Sequence, residues 1–224
     1  MVEIVSDDYH DFVIRDGRLI GEFDQMYKKS RQVPWHQDEQ ETWLDIRLTI
    51  DLLQEYGPFD AICDFVSGLG YFLDIVSRKI GKKECILTGY DISETCCEKA
   101  RSIFPHIVFH QLDLMDNVKI HPEITDDGKK NRLFMIRGTL WYVFPSISNV
   151  VQTIAQNTVM DDYLLISQNF PPLNSDFVGK GTIPDPESLI NYFQPYFMPI
   201  RTIYLEDKVS KCNDNWFIGF FRRR

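Results

Sequence analysis

From Asp60 onward, short runs rich in Val, Ile, Leu and aromatic residues alternate with amphipathic stretches. This alternation indicates βαβ units, because consecutive parallel strands need a crossover connection and a helix usually supplies it. The chain therefore predicts an α/β fold with a mostly parallel sheet. Seven strands are expected, at residues 61–66, 85–90, 107–112, 133–136, 163–168, 200–205 and 216–221. Four helices are expected between them, at residues 71–80, 94–104, 147–157 and 186–196.

The pattern of strands and helices changes at the C-terminal end of the chain. The last two predicted strands follow each other without a helix, across a polar stretch with Asn213, Asp214 and Asn215, which indicates a C-terminal antiparallel hairpin. Ser93 and Asp185 precede predicted helices and are typical N-caps.

The first 59 residues predict a separate N-terminal cap over a core of residues 60–224. Asp16-Gly17 lies between apolar runs in 12–20 and indicates a short hairpin. Residues 38–56 predict one helix, with apolar positions at helical spacing. These positions are Trp43, Ile46, Ile50 and Leu53. Residues 23–36 are rich in aromatic and polar side chains, so we expect them to fold over a ligand.

Composition excludes several classes of protein. Hydrophobic residues make up 44% and charged residues 25% of the chain, which is ordinary for a globular protein and argues against disorder. No apolar run reaches the roughly 18 to 20 residues of a membrane span, and the acidic start is unlike a signal peptide. We expect a cytoplasmic protein without a membrane partner. The formal charge of −9 argues against a nucleic-acid partner, and Arg222–Arg224 is read as a solvated basic tail.

Neither cysteine nor histidine spacing predicts a metal site. The cysteines are odd in number and contain no C-x-x-C pair, so we expect reduced, mostly buried thiols. They are Cys63, Cys85, Cys96, Cys97 and Cys212. The histidines show no ligand spacing, and no metal is predicted. They are His10, His36, His106, His110 and His121.

The densest chemical signal is the segment Cys63-Asp64-Phe65-Val66-Ser67-Gly68-Leu69-Gly70-Tyr71, between the first core strand and a helix. An open α/β sheet binds its ligand at such a strand end. Gly68 and Gly70 allow a tight turn and a close approach of the backbone to a ligand. A lone G-x-G is weak evidence, so neighbouring strands must add to it.

Two further acids follow the next two strands. Asp91 lies 21 residues after Gly70, where a carboxylate can accept hydrogen bonds from both ribose hydroxyls. Asp113 follows the third strand, where it can accept from an adenine amino group while the next backbone amide meets a ring nitrogen. Each acid alone could equally cap a turn or helix. Together, at successive strand ends, they predict a nucleoside site.

The position three residues after Gly70 narrows the ligand class. Dinucleotide sites carry a small residue there, whereas this chain has Leu73. The chain also lacks the Lys-Ser/Thr of a P-loop in this segment. A pyrophosphate ligand is therefore disfavoured.

These motifs resemble the class I S-adenosylmethionine-dependent methyltransferases, whose hallmark is an acid followed by G-x-G-x-G. The resemblance runs from about Asp60 to the end and includes Thr88–Ser93, Leu112–Leu114 and Arg137–Tyr142. It implies a Rossmann-like seven-stranded sheet with helices on both faces, S-adenosylmethionine as cofactor and S-adenosylhomocysteine as product. The cofactor residues that it implies are Asp64, Val66, Gly68, Gly70, Asp91, Ile92, Asp113, Leu114 and Arg137.

The acceptor side rests on a looser resemblance. Residues 23–27 and 33–35 look like the aromatic N-terminal cap of small-molecule members, including sugar and nodulation-factor N-methyltransferases. Trp35, Trp141 and Tyr142 are therefore expected at a small-molecule acceptor, although each aromatic ring could equally fill the core. His36 is a possible base for an ammonium or hydroxyl acceptor, with a surface histidine as its alternative.

One position departs from the family motif, because Val66 stands where the first glycine is expected. Its side chain would narrow the space near the methionine part of the cofactor. Three hypotheses follow: an enzyme that methylates a small-molecule nitrogen or oxygen, a non-catalytic cofactor-binding module, and a protein or RNA methyltransferase. The first is favoured by the three acids at successive strand ends, together with a cap that is too small and acidic for a macromolecular substrate.

Overall fold

The computed structural model describes residues 8–15, 18–116, 119–120, 131–175, 179–206 and 215–224. Several residues named from the sequence lie outside these ranges: Asp16 and Gly17 of the predicted hairpin turn, His121, Cys212, Asn213 and Asp214.

Nine strands and seven α-helices are formed by the described residues. The strands are β1 Ile14–Arg15, β2 Arg18–Leu19, β3 Phe59–Asp64, β4 Gly81–Asp91, β5 Val108–Gln111, β6 Arg132–Arg137, β7 Tyr163–Phe170, β8 Phe197–Leu205 and β9 Asn215–Arg223. The helices are α1 Phe23–Lys29, α2 Leu44–Gln54, α3 Tyr71–Ile80, α4 Glu94–Ile103, α5 Leu140–Val143, α6 Ile147–Gln156 and α7 Pro186–Phe193. Short 3-10 helices cover Tyr9–Phe12, Pro34–Thr42 and Phe144–Ser146.

Seven strands form the main sheet in the order β5-β4-β3-β6-β7-β9-β8. The first five are mutually parallel, whereas β9 runs antiparallel to both β7 and β8. The predicted α/β sheet with a C-terminal antiparallel hairpin is thereby confirmed. Strand order reverses between β3 and β6, which is the place where ligands bind in open sheets of this kind.

Both faces of the sheet are covered by helices, as the sequence predicts. Alternate residues of β6 point to opposite faces. Leu133 and Met135 join a core that contains residues of α2, α3 and α4. Phe134 and Ile136 join a second core with residues of α6 and α7.

The predicted helix caps are confirmed. Ser93 Oγ accepts a hydrogen bond from the Cys96 amide at 3.1 Å at the start of α4. Asp185 Oδ1 accepts from the Ser188 amide at 2.7 Å at the start of α7. Each cap satisfies an amide that a helix start leaves without an intrahelical partner, which explains why both helices begin where the sequence indicates.

The single helix expected over residues 38–56 is wrong at its N-terminal part. The chain forms a 3-10 stretch over Pro34–Thr42 and starts α2 only at Leu44. Trp43 between them is extended, with φ −66° and ψ 144°. Gln40 explains the break, because its amide donates to the Trp35 carbonyl at 2.8 Å and its Oε1 accepts from Arg137 at 2.7 Å. These contacts hold a compact turn that a continuous helix would disrupt.

The N-terminal residues pack on the sheet domain through a third apolar cluster. Tyr9, Phe12 and Val13 bury their side chains with Met26 and Tyr27 of α1. Leu69 of the glycine segment and Cys96 of α4 belong to the same cluster. Strands β1 and β2 form the small predicted antiparallel pair beside it. Within the described ranges, no helix has the length and apolar character needed to span a bilayer.

Candidate functional site

A cavity of about 730 Å³ lies at the carboxyl ends of the parallel strands. Its walls include the residues that follow β3, β4, β5 and β6, and also Asn169 near the end of β7. A volume of this size is typical of a site for a small molecule or cofactor. The strand order reverses at this edge, so the cavity occupies the position where the topology predicts a ligand.

The segment after β3 turns on its two glycines. Gly68 has φ 53° and Gly70 has φ 90°, a region that L side chains rarely adopt. Gly68 lines the cavity, and its amide donates to Oδ2 of Asp91 at 3.2 Å. Gly70 instead precedes α3, and a Cβ on it would lie 2.6 Å from Cζ of Phe109. Of the two predicted glycines, Gly68 faces the cavity and Gly70 permits close packing behind it.

Val66 occupies its position without backbone strain. It lines the cavity and is absent from the residues with positive φ. Its amide donates to Oδ1 of Asp64 at 3.2 Å, which closes a tight turn directly after β3. The backbone therefore accepts a β-branched residue here, and the effect of Val66 on a ligand is confined to the space that its side chain fills.

Asp64 and Asp91 lie buried at neighbouring strand ends. Burial raises the pKa of Asp64 to about 7, although the Val66 amide and the charge of Arg137 act in the opposite direction, and the nearby Asp91 raises it further. Burial likewise raises the pKa of Asp91 to about 6, against hydrogen bonds from the Ser93 and Gly68 amides. Both carboxyl groups would be stabilised as anions by a ligand that donates hydrogen bonds to them.

The third predicted acid follows β5. Asp113 is half-buried, lines the cavity and accepts a hydrogen bond from the Met115 amide at 2.9 Å. Leu114 is buried and Ile92 is exposed, and both line the same cavity. The structure thus brings together the three acids that the sequence places at successive strand ends.

Arg137 lies at the end of β6 and reaches into the N-terminal part of the chain. Its Nη2 donates to Oδ2 of Asp45 at 2.7 Å and its Nη1 to Oε1 of Gln40 at 2.7 Å. The guanidinium carbon lies 4.5 Å from the ring centroid of Trp216 and 5.3 Å from that of Phe72. The buried Nε has no hydrogen-bond partner among the described residues. This N–H group therefore remains available as a hydrogen-bond donor next to the cavity.

An aromatic cluster of Tyr9, Phe23, Trp35 and Tyr142 also lines the cavity. The ring centroid of Trp35 lies 5.5 Å from that of Tyr9 and 6.1 Å from that of Tyr142, and Phe23 lies 5.2 Å from Tyr142. Burial raises the pKa of Tyr142 to about 12, although its hydroxyl accepts a hydrogen bond from the Trp35 side chain. Tyr142 therefore keeps its phenolic proton at neutral pH.

Trp141 belongs to a different group. Its indole Nε1 donates to Oδ1 of Asn169 at 3.0 Å, and its ring packs against Phe144 and Phe170. Trp141 lines the cavity, but its ring contacts are with these core residues. Trp35 and Tyr142 are thus brought together in the aromatic cluster, whereas the Trp141 ring packs against Phe144 and Phe170.

His36 lines the cavity with an exposed side chain. Its Nδ1 lies 3.9 Å from a Glu39 carboxylate oxygen. Both Trp35 and His36 have positive φ, 54° and 49°, where the chain turns back on itself. In the described ranges, no group of three or more His, Cys, Asp or Glu side chains is arranged to hold a metal ion.

Two polar contacts fasten the N-terminal part to the strand ends, and neither was predicted. Gln37 Oε1 accepts from the Leu69 amide at 2.8 Å, next to Gly68. Asp24 accepts from Ser93 Oγ at 2.9 Å and from the Thr95 amide at 3.1 Å. The pKa of Asp24 lies well below its usual value, chiefly because Lys28 donates to it. Both contacts join residues more than thirty positions apart, so no local pattern marks them.

Comparison with known proteins supports the fold. No protein-family model and no curated protein sequence matches the chain. Among solved structures, the N-methyltransferase NodS from Bradyrhizobium japonicum WM9 with bound S-adenosyl-L-homocysteine superposes with a TM-score of 0.65 at 12% identity. This similarity covers 89% of this chain and 97% of that one.

Two further solved structures have the same architecture. A SAM-dependent methyltransferase from Aquifex aeolicus has a TM-score of 0.60 at 13% identity, with 84% of this chain and 95% of that chain covered. Geranyl diphosphate methyltransferase, in complex with GPP and sinefungin, has a TM-score of 0.58 at 10% identity, with 80% of this chain and 78% of that chain covered. At these identities the comparison establishes the fold, which is that of S-adenosylmethionine-dependent methyltransferases, as the sequence motifs indicate.

Proposed function

We propose that the protein is an S-adenosylmethionine-dependent methyltransferase that acts on a nitrogen or oxygen of a small molecule. The observation that carries this proposal is the convergence of Asp64, Asp91 and Asp113 on one cavity that is also lined by an aromatic cluster. An adenosine ligand needs acceptors for its ribose hydroxyls and its adenine amino group, and these acids are such acceptors. The shared fold with methyltransferases adds support.

In this proposal each cavity residue has a separate task. Asp91 accepts from the ribose hydroxyls, Asp113 and the Leu114 amide bind adenine, and Ile92 packs against the ring. Asp64, Val66, Gly68 and Arg137 hold the methionine part, with the unpartnered Nε of Arg137 as a donor for its carboxylate. Gly70 lies outside the cavity lining and allows the segment to pack closely against Phe109. The donors and acceptors that line the cavity therefore fit the cofactor.

The chemistry asks little of the protein beyond positioning. S-adenosylmethionine, when bound, supplies a methyl group on a sulfonium. The chain must orient the acceptor, exclude water and accept a proton. We assign orientation to Trp35, Trp141 and Tyr142. His36 is exposed, so it can take a proton from an acceptor and pass it to water.

We also propose that residues 1–59 act as a cap on a core of residues 60–224. The contacts of Asp24 with Ser93 and Thr95, and of Gln37 with Leu69, support this division. They join the cap to the ends of β3 and β4 beside the cavity. A cap in this position excludes water from bound ligands.

A cofactor-binding experiment tests this function. Wild-type protein is expected to bind S-adenosylhomocysteine in calorimetry. Asp91→Asn should weaken binding roughly 10- to 100-fold, the loss expected for hydrogen bonds to a charged group. Asp51→Asn is the matched control, because Asp51 is exposed on α2 and should leave affinity unchanged. Absence of binding to the wild type, or equal binding by Asp91→Asn, would overturn the assignment.

One observation favours a second candidate, a non-catalytic cofactor-binding module. The Val66 side chain lines the cavity at the position where the family motif has glycine. If it obstructs the cofactor, Val66→Gly should raise the affinity for S-adenosylhomocysteine, because removal of the side chain frees space in the cavity. An unchanged affinity would count against this candidate and in favour of the enzyme.

A further inference from the structure

The described walls of the cavity are poor in available positive charge. Arg137 is the only Arg or Lys among its described lining residues. Its charge is matched by the Asp45 carboxylate at 2.7 Å, and both side chains are at least nine-tenths buried. The lining histidines are also near acids: His10 Nδ1 lies 2.8 Å from Asp8, and His36 Nδ1 lies 3.9 Å from Glu39. Along the described walls, no unmatched cation faces the ligand.

Acidic side chains are more numerous than Arg and Lys in the same described walls. Asp64, Asp91 and Asp113 all line the same cavity. An anionic acceptor such as a phosphate or carboxylate would be disfavoured next to these acids, and no Arg or Lys of the described walls is free to bind it. A cationic group would be attracted.

The aromatic cluster provides a surface that attracts a cationic group. Tyr9, Phe23, Trp35 and Tyr142 are all in the cavity wall, with neighbouring ring centroids 5.2 to 6.1 Å apart. Faces of such rings attract ammonium groups, and several rings around one site form the arrangement that recognises quaternary ammonium ligands. The apolar area of the same rings also suits an acceptor with a hydrophobic body.

We propose that the methyl acceptor is an amine, bound with its nitrogen at the aromatic cluster of Tyr9, Phe23, Trp35 and Tyr142. This inference rests on the proposed function and narrows its acceptor from nitrogen or oxygen to nitrogen. It also excludes phosphorylated and carboxylate-bearing acceptors that need a cation beside the reacting group.

Charge balance in the reaction agrees with this choice. An acceptor that binds in its ammonium form first gives one proton to water, with His36 available as carrier. The lone pair of the resulting neutral amine then forms a bond to the methyl carbon while the carbon–sulfur bond breaks and its electron pair stays on sulfur. Positive charge thereby moves from sulfur to nitrogen within the cavity, where carboxylates and ring faces stabilise it at both positions. The methylated ammonium product carries this charge when it leaves the cavity. A hydroxyl acceptor would instead have to give up its proton as the bond forms, and ring faces do not stabilise the negative charge that develops on its oxygen.

Two isosteric probes test the proposal. In the presence of saturating S-adenosylhomocysteine, choline and its neutral isostere 3,3-dimethylbutan-1-ol are titrated into the protein by calorimetry. They have nearly the same shape, so a difference in affinity reports charge. Choline is expected to bind roughly 3- to 30-fold more tightly than the neutral alcohol, which is the range that cation–π attraction gives.

Variants at Trp35 assign the effect to the aromatic cluster. Trp35→Leu keeps apolar bulk and should lose most of the preference for choline, whereas Trp35→Phe should keep part of it. Tyr204→Leu, on β8 and outside the cavity lining, is the matched control and should keep all of it. Binding of S-adenosylhomocysteine, measured in the same samples, reports folding and the cofactor site.

The outcomes separate this proposal from the function on which it rests. If wild type does not bind S-adenosylhomocysteine, the proposed function fails. If it binds but shows equal affinity for both probes, tighter binding of the neutral probe or no measurable choline binding, the amine acceptor is overturned and the cofactor site stands. If Trp35→Leu keeps the full preference for choline, the proposed amine site at the aromatic cluster is likewise overturned.

Discussion

Nη2 of Arg137 donates to Oδ2 of Asp45 at 2.7 Å, across 92 residues of sequence. Arg137 ends a central strand beside the cavity, and Asp45 lies in the first turn of α2. The pair therefore ties the N-terminal residues to the centre of the sheet. Since both side chains are at least nine-tenths buried, the loss of either one leaves a largely buried charge without its partner.

Asp45→Ala should be strongly destabilising for this reason. Removal of one partner from a buried ion pair costs about 3–5 kcal/mol of unfolding free energy. Urea unfolding followed by circular dichroism measures the change. Asp51→Ala, on the same helix but exposed, should stay within about 0.5 kcal/mol of wild type. Similar stabilities for the two variants would contradict a structural role for the pair.

Gly70→Ala should destabilise the fold through both conformation and packing. The residue has φ 90°, and an added Cβ would lie 2.6 Å from Phe109. Positive φ alone costs roughly 1–3 kcal/mol for a non-glycine residue, and displacement of the buried Phe109 ring adds to it. Gly181→Ala provides the control, since a Cβ added there would meet no atom within 4 Å beyond its chain neighbours and its φ is not positive. Thermal unfolding of both variants checks the difference.

Stability should fall as pH rises from about 4 to 7. The pKa of Asp64 is raised to about 7 and that of Asp91 to about 6, above the value near 3.9 of an unfolded aspartate. The folded state therefore binds more protons in this window, and its advantage is lost as pH passes through the folded pKa values.

Asp64→Asn should flatten this pH dependence. Between pH 5 and pH 8, wild type should lose about 2–3 kcal/mol more unfolding free energy than the variant, measured by urea unfolding at both values. The control variant Asp51→Asn should keep the pH dependence of stability that the wild type shows. A slope that is identical in wild type and Asp64→Asn would show that Asp64 does not carry the raised pKa.

Asp24→Ala should loosen the N-terminal cap at the start of α4. The variant removes the acceptor of the Thr95 amide and of Ser93 Oγ, so the Thr95 amide should exchange with deuterium faster. Residues 23–37 should also become more sensitive to proteases. Asp38→Ala, at an exposed carboxylate of the same segment, should change neither property.

The sequence predicts most of the sheet domain because its signals are local. Strand runs, the caps Ser93 and Asp185, and the acids after three strands are all read within a few residues. The parallel topology then brings Asp64, Asp91 and Asp113 to one edge without further information. The fold and the shared cavity of these acids are therefore predictable from the sequence.

The contacts of the N-terminal cap are not predictable in this way. Gln40 looks like one more polar residue in a helical stretch, yet it holds a turn by bonding to Trp35 and Arg137. Gln37 and Tyr9 carry no motif, but they line the cavity. Their positions follow from tertiary packing, which can override local helix propensity in a segment with few apolar residues.

The link between Asp45 and Arg137 also constrains the order of events during synthesis. Residues of α2 leave the ribosome long before β6 exists, so Asp45 must wait for 92 more residues before its partner emerges. The N-terminal residues, although made first, can take their final position only after the centre of the sheet has been translated. The cavity is thus completed late in synthesis. The N-terminal segment that completes it is already outside the ribosome while the strands of the cavity walls are still being made.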